Sequence, residues 1–225
     1  MEPAKVAKVI PFRAPLKRGG PVGDLRFRAL VGEAAWDSLP EATRARFGKR
    51  VANCRASLYA GEIIECRMSR IGWLFAQLCR LIGSPLPLSR DIGVPAVVSV
   101  TEDAAYGSQF WTRIYGRADG FPQVIHSSKR FAGPTGLEEY IGCGFGMALR
   151  VEVADGALHF RSDHYFFELG RLRVRFPAWA APGDLLISHV DCNHGWFAFA
   201  LKLSHPLLGS LIDQTVMFQD VETGA

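Results

Sequence analysis

The sequence predicts a mainly β domain (α+β): an antiparallel meander curled into a barrel or half-barrel, with one or two packed helices. Three features carry that expectation. From about residue 96 onward apolar residues recur at every second position through ten successive segments, the period of half-buried strands. Short turns separate these segments, whereas parallel strands would need crossovers of a dozen residues or more. A strongly amphipathic helix precedes them, and so many strands are too wide a sheet to stay open comfortably.

Taken in order, a first helix is expected from Asp37 or Ser38 to Phe47, with Ser38 as cap, Pro40 in the first turn and Gly48 as the stop. Arg50–Tyr59 alternates as a strand, and Gly61 is read as a turn into a second short strand, Glu62–Arg67. The helix Ser69–Ile82 sets Ile71, Leu74, Phe75, Leu78, Leu81 and Ile82 on one apolar face, and Gly83 with Pro85 and Pro87 ends it. The period-two region then gives strands at Ala96–Thr101, Ser108–Tyr115, Gln123–Arg130, Gly136–Ile141, Met147–Val153, Ala157–Phe167, Leu172–Arg175, Leu185–Cys192, Trp196–Leu203 and Leu211–Gln219. Asp155-Gly156 is the strongest hairpin signal.

Charge is unevenly placed. Of the 26 basic and 22 acidic residues, seven and two fall in residues 1–28, which leaves 19 and 20 for the rest. The expected organisation is therefore a flexible basic tail, 1–28, and a single β-rich domain, 29–225. No basic and aromatic interleaving continues into the body, so nucleic acid is not an expected partner. The longest charge-free runs, such as Tyr140–Leu149 and Cys192–Leu201, are about half the length of a spanning helix, so no transmembrane segment is expected. With no secretory signal visible and five cysteines without CxxC spacing, a reducing, cytoplasmic setting is expected.

Several short features, in order, resemble the bacterial family of unknown function DUF4166 between about Leu39 and Phe218. They are Leu39-Pro40, Tyr59-x-Gly61, Ile82-Gly83-Ser84-Pro85, Val94-Pro95, Trp111-x-Arg113-x-Tyr115, Leu137-Glu138-Glu139-Tyr140-x-Gly142 and Pro206-Leu207-Leu208-Gly209. The resemblance implies one domain. It also implies a possible dehydrogenase-like protein partner, because the family occurs fused to nucleotide-binding modules of that kind.

The candidate ligand-binding residues are Trp111, Arg113, Tyr115 and Glu139. Alternation places Trp111, Arg113 and Tyr115 on one strand face, where an arginine between two rings could grip a carboxylate or phosphate. The competing reading turns that row outward and pairs Arg113 with Glu138 or Glu139. Adjacent strand residues face opposite ways, so Glu138 and Glu139 cannot act as an acid/base pair on one substrate. A metal would need three or four of the histidines and their neighbours to converge, for example His189, Asp191 and one of His159 or His164, and no metal or cofactor motif is present. Cys54, Cys66 and Cys79 fall on expected core faces, and Gly142–Gly146 reads as a bend between strands rather than a phosphate loop.

The function read from these residues is binding of a hydrophobic or lipid-like small molecule in a barrel cavity. Two alternatives stay open: a docking domain for the dehydrogenase-like partner, or an enzyme using a Glu or His base beside Arg113.

Overall fold

The structure, a computed structural model, describes residues 22–51 and 56–220. It opens with β1 (Val22–Gly23), α1 (Arg26–Val31), α2 (Glu33–Asp37), α3 (Glu41–Phe47) and β2 (Lys49–Arg50). The sheet then runs through β3 (Ala56–Met68), helix α4 (Arg70–Leu78), β4 (Pro95–Asp103), β5 (Ser108–Tyr115), β6 (Gln123–Arg130), β7 (Leu137–Gly142) and β8 (Phe145–Ala154). It continues with β9 (Ala157–Leu169), β10 (Leu172–Arg175), β11 (Asp184–Asp191), β12 (Trp196–His205) and β13 (Gly209–Asp220).

Ten strands close into an antiparallel barrel, in the order β9-β11-β12-β13-β3-β4-β5-β6-β7-β8, with β8 returning to β9. Most neighbours are joined by short turns, while β3 reaches β4 through α4 and β13 closes on β3 from the far end of the chain. Asp155 and Gly156 turn the β8–β9 hairpin, both with positive φ (52° and 71°). β10 folds back on the far half of β9 and lies outside the closed ring. Among the described residues no helix is long and apolar enough to cross a membrane.

Three expectations need correction. The two short strands expected around Gly61 are one strand, β3, which runs straight through it. Gly61 is there for space: a Cβ would sit 1.8 Å from the Met217 carbonyl oxygen on β13, beside an irregularity at Thr215/Val216. The first helix starts later than expected, at Glu41 after Pro40, while Ser38 ends α2 instead of capping α3. The expected boundary at residue 29 is also late. Asp24 and Phe27 are buried, and Arg26 grips Asp24 through Nε (2.9 Å) and Nη2 (2.7 Å). One apolar anchor in a basic, Pro/Gly-rich stretch was outweighed by its surroundings. Cys54 lies outside the described residues.

The N-terminal helices close one end of the barrel. Phe27 meets Phe47, Phe131 and Phe160 edge-on, and Arg46 ties the ends of β11 and β13 through Asp191 and Asp220, each at 3.0 Å. α4 roofs the opposite end. Ser69 caps it, its Oγ accepting from the Gly72 amide at 3.0 Å. Gly72 lets the helix lie directly on β13, since a Cβ there would meet the Leu211 carbonyl oxygen at 2.1 Å. Only part of the apolar stripe on α4 faces inward. Phe75 is half-buried, whereas Ile71, Leu74 and Leu78 are exposed.

Candidate functional site

Beneath α4 the barrel is hollow. A cavity of about 450 Å³ is walled by apolar side chains of α4, β6, β7, β8, β11, β12 and the segment 176–182, with Phe75, Ile125, Met147, Leu185 and Leu203 among them. That lies within the range of small-molecule sites. Apart from His205, its charged side chains gather at the floor, where the structure sets Arg113, Ser127 and Glu139 side by side.

The floor follows from strand alternation. Arg113 on β5, Ser127 and Lys129 on β6, and Glu139 on β7 all point into the barrel, with Lys129 directly opposite Glu139 in the ladder. Arg113 Nη2 donates to Ser127 Oγ at 2.6 Å and to Glu139 Oε1 at 2.8 Å, and Lys129 Nζ donates to Glu139 Oε2 at 2.5 Å. Among the described residues, no protein group accepts from Nε or Nη1 of Arg113.

Glu139 is 1% exposed and Lys129 4%. Burial pushes the Glu139 carboxyl up, but the Lys129 ammonium, the Arg113 guanidinium and the hydrogen bonds to the carboxylate outweigh it and hold the pKa at about 2. Burial pulls the Lys129 ammonium below its usual range, against the attraction of Glu139. One carboxylate thus faces two basic groups, and the arginine is the one that opens on the cavity.

All four candidate residues point to the barrel interior, so the outward orientation of Trp111-x-Arg113-x-Tyr115 in the competing reading does not hold, although its pairing of Arg113 with Glu139 does. They do not share one chamber, however. Arg113 and Glu139 line the large cavity, whereas Trp111 and Tyr115 lie with Arg113 around a smaller void of about 50 Å³ at the barrel centre. Trp111 donates its indole N–H to Gln109 Oε1 at 3.1 Å. Glu138 faces outward, as alternation requires, where Arg173 of β10 covers it with bonds of 2.5 and 3.2 Å. Sequence reasoning missed Lys129. The Ile125, Ser127, Lys129 row on β6 has the same alternation that located Arg113 and could have found it.

A family model described as a domain of unknown function, DUF4166, matches residues 39–218. The chain belongs to this family. The match takes in the whole cavity lining and every residue of its polar floor. No curated protein and no solved structure matches the chain.

The histidines of this DUF4166 domain do not converge. His159 lies against Ser188 Oγ at 2.8 Å, and His164 is 2.7 Å from Asp163, beside a separate polar cleft. His194 is a turn residue with φ of 51°, and Asp191 is taken by Arg46. Gly142–Gly146 is the β7–β8 hairpin bend, with Cys143 and Gly144 at positive φ. Burial raises the Cys66 and Cys79 thiols to about 11, which keeps both protonated and unreactive at neutral pH.

His189 is 1% exposed, stacked on Phe197 with centroids 4.8 Å apart. Its ring nitrogens find no hydrogen-bond partner outside the residue's own backbone. Burial, with Arg46 nearby, lowers its pKa to about 3. The unfolded chain therefore takes up this proton first as pH falls below the ordinary 6.5. The associated stability is complete above that pH and lost on descent through about 3. His189→Leu is expected to raise stability at pH 7.5 by about 1–3 kcal/mol, because it removes two orphaned polar atoms. It is also expected to flatten the urea midpoint between pH 7.5 and 5. A less stable variant with the wild-type pH slope would mean that the ring is properly satisfied.

Proposed function

We propose that this DUF4166 domain binds an amphipathic small molecule, with an apolar body in the cavity beneath α4 and one anionic group at Arg113. The observation that carries the reading is the cavity itself: about 450 Å³ of mainly apolar walls over a charged floor, where Arg113 keeps donors to spare. An apolar body gains from leaving water in proportion to the area it buries, and a carboxylate against a guanidinium adds charge-assisted hydrogen bonds. Trp111 and Tyr115 line the smaller void that Arg113 also borders.

The enzyme alternative has less behind it. A carboxylate with a pKa of about 2, engaged by Lys129 and Arg113, is a weak base at neutral pH.

The test is displacement of anilinonaphthalene sulfonate from the purified chain by dodecanoic acid and by dodecanol. In the wild type the acid is expected to compete at least tenfold better than the alcohol. In Arg113→Met that preference should vanish, since a hydrogen bond to a charged group is worth about 1.5–3 kcal/mol. Lys129 still compensates Glu139 in this variant, so the fold is retained, which circular dichroism checks. Failure of both ligands to displace the probe, or a preference for the acid that survives the substitution, would remove the reading.

A further inference from the structure

The cavity opens among exposed apolar side chains. Ile71 on α4, Trp179 in the segment 176–182 and Leu208 in the β12–β13 turn all line it, yet they are 47%, 85% and 47% exposed. The surface continues outward from them. Leu74 and Leu78 extend the α4 stripe at 55% and 58% exposure, and Leu207 beside Leu208 is 88% exposed. Solvent-facing apolar side chains are ordinary when scattered singly; a contiguous set framing a cavity mouth marks an interaction surface.

The charge around this mouth has one sign. The three segments that frame it, residues 70–82, 176–182 and 205–211, contain Arg70, Arg80 and His205 and no aspartate or glutamate. Arg70 and Arg80 are exposed and form no ion pair among the described residues.

We infer that the mouth docks on an anionic lipid bilayer, so that the ligand passes between membrane and cavity without crossing water. The inference rests on the ligand reading above. Leucines and a tryptophan on a helix and two loops, flanked by arginines, match what an interface of acyl chains under acidic headgroups rewards. The occupant of this face must also leave the opening of the cavity accessible to an apolar molecule, which a bilayer does by its nature.

The test is flotation of the full chain with vesicles of phosphatidylcholine alone and of phosphatidylcholine with 30% phosphatidylglycerol. Leu78→Glu/Leu207→Glu is the comparison, since neither residue lines the cavity. Wild type is expected to float with the anionic vesicles and much less with the neutral ones. The double variant should lose roughly tenfold or more of its bound fraction while still binding dodecanoate. The basic N-terminal residues are present in both proteins, so their own attraction to acidic lipid cancels. Flotation of the double variant equal to wild type would overturn the inference, as would a wild type that floats with neither vesicle. A wild-type dimer that the double variant breaks, without vesicle binding, would assign the face to a second copy and overturn it too. In these cases dodecanoate displacement by the wild type still decides the ligand reading. Flotation as expected with no displacement would instead remove the ligand reading and leave only the docking.

Discussion

Glu139→Ala is expected to cost about 3–5 kcal/mol of unfolding free energy, the usual penalty for removing one partner of a buried ion pair. Glu139 accepts from both Arg113 and Lys129 inside the barrel. Without it two basic groups face each other with no counter-charge. Chemical denaturation measures the loss, and a cost below about 1 kcal/mol would mean that the cluster is solvated, not buried. Glu139→Gln combined with Lys129→Met should recover part of the loss, because charge and counter-charge then leave together.

The same residue sets an acid limit. Its folded pKa of about 2 lies below the ordinary 4.5, so the unfolded chain binds the proton more readily. The stabilisation is therefore whole above about pH 4.5, fades as pH falls and is gone below about 2. Glu139→Gln should remove that part of the acid transition, with the His189 contribution at higher pH left in place.

Gly61→Ala is the second large effect, at about 3 kcal/mol, the upper end of ordinary overpacking penalties. The obstacle is the backbone carbonyl of Met217, and β3 is pinned there between β4 and β13. No rotamer change can relieve a clash with the main chain. Thermal unfolding should report it as a loss of several degrees or more for a domain of this size. An unchanged midpoint would show that β3 and β13 can separate at this point.

These two sites also show what could be read from the sequence. The split between Glu138 and Glu139, the common face of Trp111, Arg113 and Tyr115 and the Asp155-Gly156 turn depend on local periodicity and turn chemistry, and the sequence carries both. Gly61 looked like a turn because a glycine between alternating runs has two meanings, a reversal or a close approach of another strand. Only the partner strand distinguishes them. The exposure of Leu74 and Leu78 was hidden for a related reason: periodicity identifies an apolar face but not what covers it. Lys129 was passed over because a lysine on an alternating strand usually snorkels to water. Its burial depends on Glu139, a neighbour brought opposite by the β6–β7 ladder. His189 was noticed as a possible ligand, but its isolation among rings is a property of the packed barrel.

The most direct test of the account is a crystal structure of the domain with 12-bromododecanoic acid, in which the anomalous signal of bromine locates the far end of the chain. The account predicts the carboxylate within hydrogen-bonding distance of Arg113 and the bromine toward the mouth, near Ile71 and Leu208. Bromine outside the cavity, or a carboxylate at the mouth with the chain buried against Glu139, would contradict it.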